Sequence, residues 1–594
     1  MKRSRSHSRI EDYALIGDCE TAALVSKTGS IDWLCWPDFS SPACFASLLG
    51  DARNGRWLLA PVLSHSAHRE YQNHTLILET TFTTRGGRVR VTDFMPIRGR
   101  HSDIVRLVHG QEGKVSLRME LALRFDFGRT IPWLQHPHKN DFTATAGPGT
   151  AHLRTPAKVD FQNGNMVAEF EVKRGQTIPF VLTYGSSFEK LPERVSPKTA
   201  LRQTEAFWKQ WTAHGTYRGK WAPEVERSLI TLKALTYRPT GGIIAAPTTS
   251  LPERRGGALN WDYRFCWLRD ATFTLLALMN GGHTEEAEAW QNWLLRTLGG
   301  EASQVQILYG LRGERQVPET NISWLCGYDK SQPVRMGNAA AGQFQLDIFG
   351  EVADALYQAR RGGIGDDPRD LEIQREFVDY LRTVWRKPDS GIWEERGKPR
   401  QFVYSTAMAW VVLDRAIKSV ERHGLEGPVE EWRVVRQEIH DEVCHKGFNR
   451  RLNSFVVHYG SNKVDASLLL LPLVGFLPAT DVRILGTLRQ IEKQLMTGGL
   501  LKRNRPPEKA QRQGAFLACS FWLVEVMAMA GQKSDAKKLF QRLIRLTNDV
   551  GLLSEEYDTR TSQLTGNFPQ ALSHIALVSA AFHLDPKPAH QSRG

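Results

Sequence analysis

The chain lacks most of what would mark it for metal chemistry, for a membrane or for export. Its seven cysteines (Cys19, Cys35, Cys44, Cys266, Cys326, Cys444 and Cys519) are odd in number, scattered and never at metal-ligand spacing. That excludes a disulfide framework and a cysteine-based metal site, and fits reduced thiols in a cytoplasm. There is no uninterrupted apolar run of membrane-spanning length; Leu468 to Leu477 is too short and contains Pro472. The basic start Met1-Lys-Arg-Ser-Arg-Ser-His-Ser-Arg9 is followed by Ile10-Glu-Asp-Tyr13, which interrupts any apolar signal region. A cytoplasmic location is therefore expected. Dense basic clusters are otherwise missing. The net charge of +13 and pI near 9.4 would suit a nucleic-acid binder. Residues 1–9, however, form the one dense basic run and read as a disordered tail, while the other Lys and Arg are mixed with Asp and Glu. Neither a nucleic acid nor a membrane is expected as a partner.

What is present is globular. At 594 residues the chain is too long for one ordinary core, and 41% hydrophobic with 24% charged residues are ordinary values for a packed protein. The 17 Trp are many, and flat rings suit a sugar cleft. Residues 10–195 carry short alternating runs typical of strands. Thr75 to Thr84, Arg85-Gly-Gly87 and Arg88 to Phe94 predict a hairpin, and Ile104 to His109, Val115 to Leu121, Met166 to Val172 and Pro179 to Tyr184 predict further strands. An antiparallel β-sandwich domain follows. Its aromatic-rich stretch Gly29 to Pro37 is expected to reach a neighbouring domain. Residues 196–221 predict a linker helix, and residues 222–594 a domain of twelve helices. These are expected over 222–238, 270–281, 284–298, 338–361, 369–386, 402–422, 428–445, 465–477, 481–496, 515–530, 533–548 and 569–583. Asp270 is placed to cap the second, Gly281-Gly282 ends it, and Gly424 follows the sixth.

Twelve antiparallel helices close into six hairpins, an (α/α)6 barrel. The even helices are the apolar ones, as in Ala407 to Leu413 and Phe516 to Met529, and belong inside; odd ones such as 369–386 and 533–548 show a charged face. Every loop from an odd to an even helix then opens at one end. Four polar groupings meet there: Trp267-Leu-Arg-Asp270, Gly391-Ile-Trp-Glu-Glu-Arg-Gly397, Arg503, and Gly551-Leu-Leu-Ser-Glu-Glu-Tyr-Asp558. Two acidic pairs sharing a mouth with tryptophans have the makings of a sugar-cleaving site. Glycosidic cleavage needs a carboxylic acid to protonate the leaving oxygen and a second carboxylate across the sugar. An aromatic ring offers an apolar face to the C–H side of a pyranose.

The chain resembles glycoside hydrolase family 15, the glucoamylase, glucodextranase and bacterial trehalase group, over almost its whole length. The motifs carrying the resemblance are Ile10 to Asp18, Gly29 to Trp33, Arg124 to Gly128, Asn260-Trp-Asp-Tyr-Arg264 with Trp267 to Asp270, Pro333 to Asn338, Gly391 to Gly397, Asp465-Ala-Ser467 and Gly566-Asn-Phe-Pro-Gln570. The resemblance implies an N-terminal β-sandwich followed by a catalytic (α/α)6 barrel, and release of β-D-glucose with inversion from the non-reducing end of short α-glucosides. It makes Glu394 the general acid and Glu555 the general base. It gives Arg269 and Asp270 the hydroxyls of the non-reducing glucose, Tyr263, Trp267 and Trp393 aromatic walls, Glu395 a place beyond the cleaved bond, and Arg503 a further substrate contact. Glu556 stands where glucoamylases often have Gln, as in the bacterial trehalase-like branch; Gln513, before Gly514, replaces a common acid, and Lys502-Arg-Asn504 is less typical. Such a reaction calls for no metal or organic cofactor. The rival readings are a phosphorylase on the same barrel, which would not need Glu555, and a non-catalytic sugar-binding protein, which would need neither acid.

Overall fold

The computed structural model describes residues 8–190, 192–364, 367–424, 426–505 and 513–585, and the side chains of all of these but 271 and 272. Most of the basic tail expected over 1–9 lies outside them. Two antiparallel sheets face one another across the first part of the chain and share one strand, Ser102–Ala122, of 21 residues. Its first half pairs with Gly87–Phe94 and Thr177–Ser186, its second with Arg56–Pro61 and Asn165–Lys173. The strand thus passes from one sheet into the other. The sequence expects two strands here because Gly110 and Gly113 break the alternation. Pairing nonetheless continues through them: Gly113 takes a φ of +58°, and Gln111 is the extra residue of a bulge opposite Arg88 and Val89.

Strands Tyr13–Gly17, Ala22–Ser26 and Ser30–Cys35 are buried at every position. An antiparallel strand of a free sandwich would alternate, with one face in water. Here the helical part of the chain covers the second face. The Trp33 indole donates to the Pro247 carbonyl at 2.7 Å, and the Asn548 amide donates to the Tyr13 carbonyl at 2.7 Å. The aromatic stretch around Trp33 does reach across, as its composition implies.

Helix Pro197–Ala213 then crosses to the barrel, where Trp211 donates to Glu286 at 2.8 Å. Twelve helical segments follow among the described residues: Ala222–Ala234, Leu268–Gly281, Thr284–Thr297, Asp347–Arg361, Pro368–Val384, Val403–His423, Val429–Lys446, the short Ala466–Leu469 and Leu470–Leu473, Val482–Leu495, Leu517–Met529, Lys533–Ile544 and Ala571–Leu584. We number them α1 to α12. The even helices touch in the ring α2, α4, α6, α8, α10, α12 and back to α2, which closes the barrel. Burial explains the division: α10 is buried at every position but its last, whereas outer α11 buries only Ala536, Phe540 and Leu543. The architecture is an N-terminal β-sandwich followed by an (α/α)6 barrel.

Two expectations are corrected. Helix α4 begins at Asp347, not 338, because Asn338 caps a separate 3₁₀ turn at Ala339–Gly342. Asp270 is not a cap. Helix α2 starts two residues earlier, at Leu268, leaving Asp270 in the first turn with its carboxylate turned to Arg269.

Candidate active site

The segment from Pro247 to Trp267 carries the aromatic part of the site and is clamped on both sides. Toward the sandwich, Arg264 pairs with Asp262 at 2.7 Å, both fully buried, and donates to the Ser41 carbonyl at 2.8 Å. Toward α12, Thr248 donates to Asn567 at 2.8 Å, and Asn567 donates to the Trp261 carbonyl at 2.9 Å. Tyr263 and Trp267 are thereby fixed side by side, ring centroids 5.4 Å apart.

Each ring reaches one of the two candidate carboxyls. The Tyr263 hydroxyl donates to Glu555 at 2.5 Å, and the Trp267 indole donates to Glu394 at 2.8 Å. The aromatic pair thus links the two acids, which lie 161 positions apart in the chain. Glu394 sits in a tight turn with φ of 57°, an uncommon conformation for a residue with a side chain. Neighbours hold it there: its N–H donates to the Gly391 carbonyl at 3.0 Å and its carbonyl accepts from Gln343 at 3.2 Å. Glu555 is backed by Gly566, where a Cβ would stand 2.5 Å from the Glu555 Oε2. A glycine is therefore required for the carboxylate to lie where it does.

Tyr263, Trp267, Arg269, Asp270, Trp393, Glu394 and Arg503 all border one pocket. Arg269 donates to Asp270 at 2.8 Å and to the Ile392 carbonyl at 2.7 Å, and lies 3.6 Å from Glu394. Trp393 donates to Asp465 at 2.8 Å, which sets the angle of its ring against Phe516 and Trp522. Glu395 is exposed at the rim, outside the pocket. Residues that sequence reasoning missed are Glu253, paired with Arg503 at 2.5 Å, and the supports Gln343, Asp465 and Gly566. Asp465 and Gly566 fall in the motifs quoted above, but neither carries a signal of what it touches. Glu253 is one acid in a loop without periodicity.

The acids are not electrostatically alike. Burial pushes the Glu394 carboxyl up, with Arg269 and the Trp267 N–H pulling it back. Burial, reinforced by Glu253, pushes Glu555 up to about 7 against the pull of Arg503 and Tyr263. Burial, Glu253 and Glu555 hold Glu556 well above the usual carboxyl range. Behind the Glu394 turn, burial and neighbouring Asp347 push Asp389 up to about 8. Buried carboxyls whose hold on a proton is raised in this way are the material of acid–base catalysis near neutral pH. Among the described residues no cluster of His, Cys, Asp and Glu could hold a metal ion, and no helix is long and apolar enough to cross a membrane.

Known proteins resemble the chain over both of its domains. The family described as glycosyl hydrolases family 15 matches residues 223–582, and the family described as trehalase-like, N-terminal matches residues 3–208. A protein of Mycolicibacterium smegmatis named trehalase is 35% identical over 97% of this chain and 91% of its own length. A trehalase of Thermoplasma acidophilum is 33% identical over 95% of this chain and 98% of its own. A bacterial glucoamylase solved with acarbose superposes with a TM-score of 0.74 over 98% of this chain and 95% of its own, at 12% identity, so the shared fold extends through both domains.

Proposed function

The chain belongs to glycosyl hydrolases family 15 and is a glycoside hydrolase, and from that premise we propose that it is an α,α-trehalase that cleaves its substrate with inversion. The observation that carries the mechanism is the pair of carboxyls linked by the Tyr263–Trp267 aromatic pair. Trehalose as substrate is supported by relatives named trehalase that align over nearly the full chain. The division into a sandwich over 10–195, a linker over 196–221 and a catalytic domain over 222–594 is part of the same reading.

In this mechanism Arg269 and Asp270 grip the hydroxyls of one glucosyl unit between the Tyr263, Trp267 and Trp393 rings, with Arg503 as a further contact. Protonated Glu394 gives its proton to the glycosidic oxygen as the anomeric C–O bond breaks. Ionised Glu555 takes a proton from a water whose oxygen attacks the same carbon from the opposite face. The products are two glucose molecules; Glu394 ends ionised and Glu555 protonated, and solvent exchange restores both. Inversion requires room for that water, a carboxyl separation of about 6.5–9.5 Å. Glu395 and Glu556 flank the reacting groups.

The test is a kinetic panel on trehalose, maltose, isomaltose and maltotriose. Trehalose is expected to have the highest kcat/KM; a preference for maltotriose would replace the substrate reading with a glucoamylase one. Glu394→Gln and Glu555→Gln are each expected to lower kcat by at least about a hundredfold, the low end of general acid–base contributions, with melting curves preserved. Glu395→Gln and Glu556→Gln should be milder. Near-normal kcat in either of the first two would sink the assignment.

A further inference from the structure

We propose that Glu253 is a positioning residue for the base: by taking Arg503 into a direct ion pair, it holds that cation away from the Glu555–Glu556 pair and so sets how readily Glu555 accepts a proton from water. The inference rests on the reading of Glu555 as the base. Arg503 Nη2 lies 2.5 Å from Glu253 Oε2 but 3.7 Å from Glu556 Oε1, too far for a hydrogen bond. Glu253 is 2% exposed, and Arg503 Nε, Glu556 Oε1 and Glu555 Oε2 are buried with no hydrogen-bond partner. A small rotation of the guanidinium would serve Glu556; Glu253 prevents it. Glu253 is itself anchored. Its Oε1 accepts from the Trp261 indole at 3.3 Å, and the Arg335 and Arg396 guanidiniums lie over the Trp261 ring at 4.4 and 4.3 Å. The adjacent Pro252 carbonyl accepts from the Gly566 N–H at 2.8 Å, which ties this loop to the backing of Glu555.

The charge count gives the arrangement its consequence. The ionisable groups facing Glu555 are Tyr263, Glu253, Arg503, Glu556 and, across the aromatic pair, Glu394. One guanidinium stands among Glu253, Glu555 and Glu556, and Glu253 takes it. Glu555 and Glu556 are left with only the longer, 3.7 Å approach of Arg503 to Glu556, too little to let two buried neighbouring carboxyls both ionise, so they hold a proton between them. A protonated Glu556, accepting from the Gly514 N–H at 3.0 Å, then has the shape and neutrality of the glutamine that glucoamylases often carry there.

Glu253→Gln removes one negative charge and frees Arg503 to approach the Glu555–Glu556 pair. Both changes favour the Glu555 carboxylate, chiefly the loss of the like charge of Glu253, so the acid limb of kcat/KM for trehalose should move to lower pH by about one unit. A residue that merely packs would lower Tm and leave the limb in place. A folded Glu253→Gln enzyme with an unmoved or raised limb overturns the proposal. Should that variant not fold, Glu253→Asp is read instead: shorter by one methylene, it loosens its hold on Arg503 and moves the limb down by about half a unit, and an unmoved limb counts against the proposal. Near-normal activity of Glu555→Gln would instead strike the underlying reading, so the two failures are told apart.

Discussion

Replacing Trp267 by Phe keeps an aromatic wall and deletes one hydrogen bond, the 2.8 Å indole N–H contact to Glu394. That bond favours the ionised carboxyl, against the burial that pushes it up. A hydrogen bond to a charged group is worth about 1.5–3 kcal/mol, whereas one to a neutral carboxyl is worth about 1 kcal/mol. The difference, about 0.5–2 kcal/mol, corresponds to about one pH unit. Because Glu394 must be protonated to act, its loss of a proton defines the basic limb of the profile. Deleting the donor makes the carboxyl hold its proton longer, so the basic limb of kcat/KM should move up by about one unit. The plateau kcat should fall by no more than about tenfold, as expected for a weaker acid. The assay is glucose release from trehalose between pH 4 and 10, with a melting curve at each pH. An unmoved basic limb with a lowered Tm would mean that Trp267 is core and no partner of the acid; a downward shift would refute the sign of the argument.

Gly566→Ala places a methyl 2.5 Å from the Glu555 Oε2 at a φ of +78°, and is expected to lower kcat about a hundredfold, the cost of misplacing a reacting group by about 1 Å. Gly531→Ala, at φ +86° with open space around it, carries only backbone strain of about 1–2 kcal/mol and should keep full kcat; equal losses in the two variants would refute the steric account. Arg269→Lys keeps the charge but not the planar fork that reaches both Asp270 and the Ile392 carbonyl, so kcat/KM should fall severely without early melting. Asp389 has a folded-state value near 8, raised above that of the unfolded chain, so its stabilising protonation is present at low pH and lost as pH rises through about 8. Asp389→Asn removes this dependence: the Tm of the variant relative to the parent should rise between pH 6 and pH 9, and a constant difference would contradict the burial argument.

The barrel was legible because its signals are local and long. Helix α10 is apolar at all positions but Ser520 and Glu525 and α11 is apolar on one face, so inside and outside could be told apart from periodicity. Alternating order then carried Trp267, Glu394, Arg503 and Glu555 to one end. The shared strand Ser102–Ala122 was not legible as a single element, since strand continuity depends on partners that are remote in sequence. Nor was the start of α4, where Asn338 caps a 3₁₀ turn that resembles a helix start in sequence. Within the site, the proposed acid and base stood out in the sequence as acidic pairs beside turns and aromatics. Their supports did not. Glu253 acts through a contact 250 residues away, Asp465 orients a tryptophan 72 residues earlier, and Gly566 matters through the space it leaves open. Each is defined by an approach in three dimensions, with no spacing rule behind it.

The central claim is that Glu394 and Glu555 act on a water-mediated single displacement, and the anomers of the first products test it most directly. In α,α-trehalose both anomeric carbons are α. Displacement by water inverts the one that is attacked, while the other keeps its C–O bond and its configuration. Proton NMR of the earliest product, taken before mutarotation, should therefore show α- and β-glucose in equal amounts. α-Glucose alone would mean that Glu555 attacks carbon directly and would contradict the account.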